Sequence, residues 1–220
     1  IGNAEVLQKF GISTVHHLPG VGENLHDHPN VRLTFECAKP ITINDVLRSP
    51  LLRVKAGLRF MFQRKGLLTI CSASAQTNLR SSPSMKQPDL VLRLLPVSGK
   101  DRYARTARYG LDPYPGFTFG ITPLQPRSVG SIHIRSTDPH DQAAMAPRYL
   151  SNEADAQLFL DGIRIARRVA QQPAMKTMIV RETRPGPGTN DDAALLDYVR
   201  DTAQTSWHQT GTCKMGGDDA

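Results

Sequence analysis

The alternation of apolar and other residues in the middle of the chain limits the possible folds more than any other feature. Leu90, Leu92 and Leu94 lie on one face of Asp89 to Leu95, and Phe117, Phe119 and Ile121 alternate through Gly116 to Thr122. Ile132 and Ile134 repeat the pattern after Gly130. A period of two belongs to a strand with one face on a core. Pro- and Gly-rich turns separate these segments, with no helix between each pair. Parallel neighbours need a crossover of a dozen or more residues, usually helical. The strands therefore pair antiparallel. Val31, Leu33 and Phe35, alternating with Arg32 and Thr34, read as an earlier strand. Thr69 to Leu79 is small and polar but has the length of another.

Helices flank this region. Ala4 to Phe10 is a short one, ended by Gly11. Ser49-Pro50 starts the next, with Ser as N-cap and Pro at the first helical position. Leu51, Val54, Leu58 and Met61 or Phe62 then recur at three- and four-residue steps before Gly66. A long helix opens at Ser151 or Asn152. Glu153 and Asp155 in its first turn suit the macrodipole, and Phe159, Ile163, Ala166 and Ala170 form its stripe. Arg184 to Asn190 holds two prolines and two glycines and is irregular. Asp191-Asp192 begins a last helix carrying Leu195, Tyr198 and Val199. The fold class is α+β: an antiparallel sheet with flanking helices.

At 220 residues the chain can bury a real core. It has no apolar run near the ~20 residues of a membrane span. Lys and Arg outnumber Asp and Glu by 27 to 20, which favours anionic partners. The cations are dispersed, as Arg48, Arg53, Lys55, Arg59, Arg64 and Lys65, then Arg164, Arg167 and Arg168. They read as solvated helix faces rather than a nucleic-acid footprint. Cys37, Cys71 and Cys213 are scattered and odd in number, so a reducing, cytoplasmic setting is expected and a disulfide framework is not. The first residue is Ile1, no signal peptide is legible, and both ends read as cut from a longer chain.

Four segments could carry chemistry. His26-Asp27-His28 offers two imidazoles and a carboxylate, but no third metal ligand stands at recognisable spacing. Its other reading is a loop bonded to its own backbone. Gly20-Val21-Gly22 would let backbone N–H groups approach a phosphate or flat ring, without the strand and helix of a dinucleotide fingerprint. In Ser206 to Gly216, His208 sits beside Trp207, the only tryptophan, ahead of Cys213 and Lys214. That histidine is either a packed interior residue or a functional group. Pro126 to Pro139 is a turn, a strand and an Asp-Pro turn that demands no chemistry.

Taken in order, these segments resemble the glucose–methanol–choline (GMC) oxidoreductases, flavoproteins that oxidise alcohols with FAD. Leu18 to Pro29 is similar to that family's GVGxNLxDHP segment. Gly130 to Pro139, with Pro147, Tyr149-Leu150 and Asp155, resembles its GxVxLxSxDP…P…YL…D stretch. Trp207-His208 and Gly211 to Gly216 resemble HxxGTCxMG, with the bacterial choline-dehydrogenase-like branch nearest. Ile1-Gly2 resembles the tail of an internal SGIG signature. The family's GxGxxG fingerprint is absent, and Ser131 and His133 depart from its usual residues.

The resemblance implies the substrate-binding domain of a two-domain FAD enzyme: residues 1–30 a flank and cofactor-proximal loop, 31–205 the substrate-binding domain, 206–220 the start of the segment bearing the active-site histidine. It puts His208 at the catalytic position, where the imidazole handles the hydroxyl proton while hydride passes to flavin. A free imidazole titrates near pH ~6.5, where a general base is most useful. Trp207 becomes a candidate wall of the substrate pocket. Asn24 and Asp27 lie on the cofactor side, and a metal role for His26 and His28 recedes. The implied cofactor is FAD, held by the complete protein and not by this piece, which alone would not turn over. The partner is a small alcohol, with the electron acceptor open and a homo-oligomer allowed. A non-redox hydroxynitrile-type lyase and a basic non-enzymatic binding module are the alternatives.

Overall fold

A computed structural model describes residues 1–70, 73–100 and 110–217. Its elements in order are α1 (Ala4–Gln8), β1 (Pro29–Cys37), α2 (Ile43–Arg48), α3 (Pro50–Gln63), β2 (Ala75–Leu79), β3 (Leu90–Leu95), β4 (Gly99–Lys100) and β5 (Gly110–Leu111). There follow β6 (Gly116–Pro123), β7 (Ser131–His133), β8 (Ala144–Ala146), α4 (Glu153–Ala170), α5 (Pro173–Lys176), β9 (Ile179–Arg184), α6 (Asp192–Thr202) and β10 (Gln204–Thr205). The contacts divide the chain into two compact units.

The larger unit, Asn30–Leu124 with Ala156–Gln204, is built on the expected antiparallel sheet. Its strand order is β10-β1-β6-β3-β2, with β9 also paired to β1. Registers such as Leu33 with Phe119 and Phe119 with Leu94 put the alternating apolar side chains on one face. On that face Val31, Leu33, Phe35, Leu90, Phe119 and Ile121 are buried, together with Phe159, Ile163 and Ala166 from the stripe of α4. Phe35, Phe117 and Phe119 form a cluster with ring centroids 5.1 to 5.6 Å apart. Leu195 and Val199 of α6 are buried as well.

Helix α4 can lie this close because of Gly162. A Cβ there would meet Ile121 Cγ2 at 2.5 Å and Leu90 Cδ1 at 3.5 Å. The second sheet face is polar. There Arg93 donates to Gln76 and Thr122, and Thr34 pairs with Thr183. Beside the sheet, buried Asn44 bridges Ser98 and the Asp112 carbonyl, and Arg184 clasps the Asp112 carboxylate at 2.6 and 3.1 Å.

Two expectations need correction. The stretch read as a strand from Thr69 to Leu79 starts as a short 3₁₀ turn, Leu67–Thr69, and pairs with β3 only from Ala75. Cys71 and Ser72, within that stretch, lie outside the described residues. Ile132 and Ile134 do not extend the main sheet. Ile132 belongs to the separate β7–β8 hairpin, and Ile134 lies beyond its end, exposed. Helix α3 forms where its capping signal puts it, with Ser49 Oγ accepting from Leu52 N. Its periodic residues Leu51, Val54, Leu58, Met61 and Phe62, however, are all exposed.

The smaller unit joins Ile1–Pro29, Gln125–Asp155 and Thr205–Ala220. It is largely irregular, and side chains hold its backbone. Asp155 accepts from Arg127 N, Ser128 N and Ser128 Oγ, which ties the first turn of α4 to the preceding loop. Among the described residues no helix is long and apolar enough to cross a membrane.

Candidate functional site

All four residues singled out as functional lie within the smaller unit, on two loops that cross. The first runs from Gly20 to Pro29 and the second from Thr205 to Gly216. Bridges between His26 and Thr210, in which each N–H bonds the other's carbonyl at 2.9 Å, zip them together. Gly22 N donates to Thr212 O at 2.9 Å, and Ser206 N to His28 O at 3.0 Å.

Two glycines make the crossing possible. Gly22 and Gly211 have φ of +88° and +90°, and a Cβ on either would stand 2.2 or 2.3 Å from a carbonyl oxygen, that of Ile132 or Asn24. Only glycine tolerates both the left-handed backbone and that approach. Asn24 is itself left-handed, at φ 56°. Its side chain donates to Gly211 O at 3.3 Å and meets His26 Nε2 at 3.0 Å.

Asp27 is the knot of the site. It is only 6% exposed, yet its carboxylate is well satisfied. Oδ1 accepts from His28 N at 2.8 Å and His208 N at 3.0 Å, while Oδ2 accepts from the Tyr149 hydroxyl. Burial alone would raise its pKa. Hydrogen bonds from Thr205, Tyr149 and the His208 and His28 amides outweigh that and hold it below the ordinary carboxylate value. The same burial, with the carboxylate beside it, pushes the Tyr149 phenol well above its usual range. Asp27 therefore stays ionised as an anchor, and it fixes the backbone at His208.

The side chain of His208 is exposed, and its Nδ1 lies 3.1 Å from Nδ1 of His28, the rings edge to face with centroids 5.3 Å apart. A hydrogen bond between two Nδ1 atoms needs a proton on one and a lone pair on the other. Neutral imidazoles paired this way present one Nε2 as acceptor and one as donor. Trp207, left-handed at φ 57° and 59% exposed, stands beside them.

The two imidazoles of the His26-Asp27-His28 run therefore point to different partners, Asn24 and His208. Among the described residues no group of three or more His, Cys, Asp or Glu could hold a metal. Sequence reasoning left Tyr149 and Thr205 without a role, although both hydroxyls bond Asp27. Tyr149 sits 122 residues from Asp27, and its only signal was its place in a Tyr-Leu motif. Outside the crossing, His133 Nε2 meets Glu23 Oε1 at 2.8 Å, pinning β7 to the first loop.

The geometry agrees with what known proteins resemble this chain. Residues 126–220 match the family model described as GMC oxidoreductase. An oxygen-dependent choline dehydrogenase of Cronobacter sakazakii is 35% identical over 222 residues, spanning all of this chain and 38% of that protein. Oxygen-dependent choline dehydrogenase 1 of Chromohalobacter salexigens is 34% identical over 219 residues, with the same two shares, 100% and 38%. The chain thus spans well under half the length of these curated relatives. Among solved structures, formate oxidase of Aspergillus oryzae superposes with a TM-score of 0.86 at 20% identity, over 97% of this chain and 41% of that one. Pyridoxine 4-oxidase from Mesorbium loti gives 0.76 at 20% identity, over 100% and 39%. These two likenesses carry the fold alone.

Proposed function

We propose that this chain, which belongs to the GMC oxidoreductase family, supplies the substrate-side machinery of an FAD-dependent alcohol oxidoreductase. The observation that carries the reading is the His28–His208 pair. Oxidising an alcohol by hydride transfer requires the hydroxyl proton to leave as the carbinol hydrogen departs. With its own proton on Nδ1 toward His28, the exposed His208 ring has Nε2 as the acceptor that takes the hydroxyl proton. His208, exposed and next to the Trp207 indole, is the base in this reading, and Trp207 walls the substrate.

Asp27 is a positioning residue. Through the His208 amide it sets the backbone that aims the imidazole, and its charge is too well satisfied to compete for the substrate proton. Asn24 holds the crossing of the two loops on the side where the family reading puts the cofactor. The residues fit the ring end of FAD: an exposed indole, exposed imidazole and no unsatisfied carboxylate among them. FAD, when bound, supplies the hydride acceptor. No GxGxxG loop for its pyrophosphate is present in this sequence, so the complete gene product is the form that would carry the cofactor.

Choline, the substrate in the names of the two curated relatives, is the first alcohol to try. We place the protein in the cytoplasm on the strength of its sequence, whose three cysteines are scattered and odd in number. The test is the visible spectrum of the complete gene product, taken without oxygen before and after adding choline and other alcohols. Bleaching by one alcohol supports the reading. A flavin that no alcohol bleaches, or well-folded protein without flavin, contradicts it.

A further inference from the structure

The positive charge of this chain is concentrated in one place. From Val46 to Pro88 there is no Asp or Glu, and eight of the 27 Lys and Arg fall there, leaving 19 against 20 acids elsewhere. The excess therefore belongs to one segment, and α3 runs through it. On that helix Leu51, Val54, Leu58 and Phe62 recur at i, i+3, i+7 and i+11, a single stripe about 17 Å long. The stripe faces solvent: Leu51 is 75% and Phe62 77% exposed, with Leu47, Met61 and Leu68 exposed around it. Leu52, Ala56, Gly57 and Phe60 are the half-buried side. Lys55 and Arg59 border the stripe on one flank, and at the end of the helix Arg64 stacks over Phe60 of the half-buried side at 5.1 Å.

We propose that α3 is a membrane-surface helix that lays this stripe onto an anionic bilayer. An apolar stripe bordered by cations, with no acid on the helix, matches the interface of acyl chains and acidic headgroups. Long Lys and Arg side chains reach the headgroups while their stems add apolar contact. Charge also argues against a second copy as occupant. An isologous dimer would press two acid-free, cationic surfaces together. A surface helix needs no spanning segment, and the proposal is independent of the flavin chemistry above.

Flotation of the full-length protein with vesicles tests it. One set contains phosphatidylcholine with about a third phosphatidylglycerol, the other phosphatidylcholine alone. Binding to the anionic set should exceed the neutral set at least tenfold and weaken as salt rises from 0.05 to 0.5 M. Leu58→Glu with Phe62→Glu should abolish it, while Lys55→Gln with Arg59→Gln should weaken it about 25-fold, roughly fivefold per charge. These side chains are exposed, so the variants should keep the wild-type circular dichroism. Three results overturn the proposal: no flotation, equal binding to both sets unaffected by the charge variants, or wild type staying off vesicles while Phe62→Glu disrupts an oligomer. The last would make the stripe a protein interface.

Discussion

Replacing Asp27 by Asn is the most informative perturbation of the smaller unit. The carboxylate accepts from two backbone amides through Oδ1 and from the Tyr149 hydroxyl through Oδ2, with Thr205 also bonded to it. Asparagine keeps one oxygen for the two amides, but as a neutral acceptor. Hydrogen bonds to charged groups contribute about 1.5–3 kcal/mol and neutral ones about 0.5–1.5, so two weakened bonds cost about 2 kcal/mol. The new NH₂ faces two hydroxyls that were donating, and their rearrangement adds about 1 kcal/mol. At 6% exposure, little water is at hand to repair either loss.

Asp27→Asn should therefore destabilise this unit by about 2–3 kcal/mol at pH 7. The pH dependence has a definite sign. The folded pKa lies below the ordinary value of 3.8. The carboxylate's contribution is then complete above about pH 4 and lost as pH falls through the folded pKa. The gap between wild type and variant should narrow from pH 7 to pH 3. Urea unfolding followed by fluorescence of Trp207, the only tryptophan, measures it in the right unit. A gap under about 0.5 kcal/mol at pH 7, below the worth of one ordinary hydrogen bond, would refute the reasoning. So would a gap of unchanged width at pH 3.

Two further predictions concern the larger unit. Gly162→Ala drives a methyl to within 2.5 Å of Ile121 Cγ2 and should destabilise by about 1–3 kcal/mol, measured by denaturant midpoint; a neutral effect would mean α4 does not press on the sheet there. Tyr198 donates to the Arg32 carbonyl, and burial pushes its phenol up to about 12. Its contribution is present below pH 10 and lost as pH rises toward 12, so the wild type should lose about 2–3 kcal/mol over that interval and Tyr198→Phe should not. Parallel stability curves for the two proteins would count against it.

Much of the larger unit was legible because its signals are local. The alternation at Leu90, Leu92 and Leu94 and at Phe117, Phe119 and Ile121 gave strands and faces, and Phe159 and Ile163 gave the buried side of α4. Periodicity says that a helix has an apolar face but not what covers it, which is why the stripe of α3 could not be placed from sequence. Asp155 shows the same limit. Its position suited the helix dipole, whereas its carboxylate caps the Arg127–Ser128 backbone of an earlier loop. In the site, motif order brought the His26-Asp27-His28 run and His208 into view separately. Their meeting depends on contacts 180 residues apart, as between the His28 and His208 rings, and no local pattern encodes such a contact.

The central claim is that His208 takes the hydroxyl proton of an alcohol. Stopped-flow flavin reduction in the complete gene product, under anaerobic conditions with the alcohol that bleaches it, tests this most directly. His208→Ala should slow reduction by roughly 10²–10⁴, the usual worth of a positioned acid–base group. Reduction at the wild-type rate would remove His208 from the chemistry.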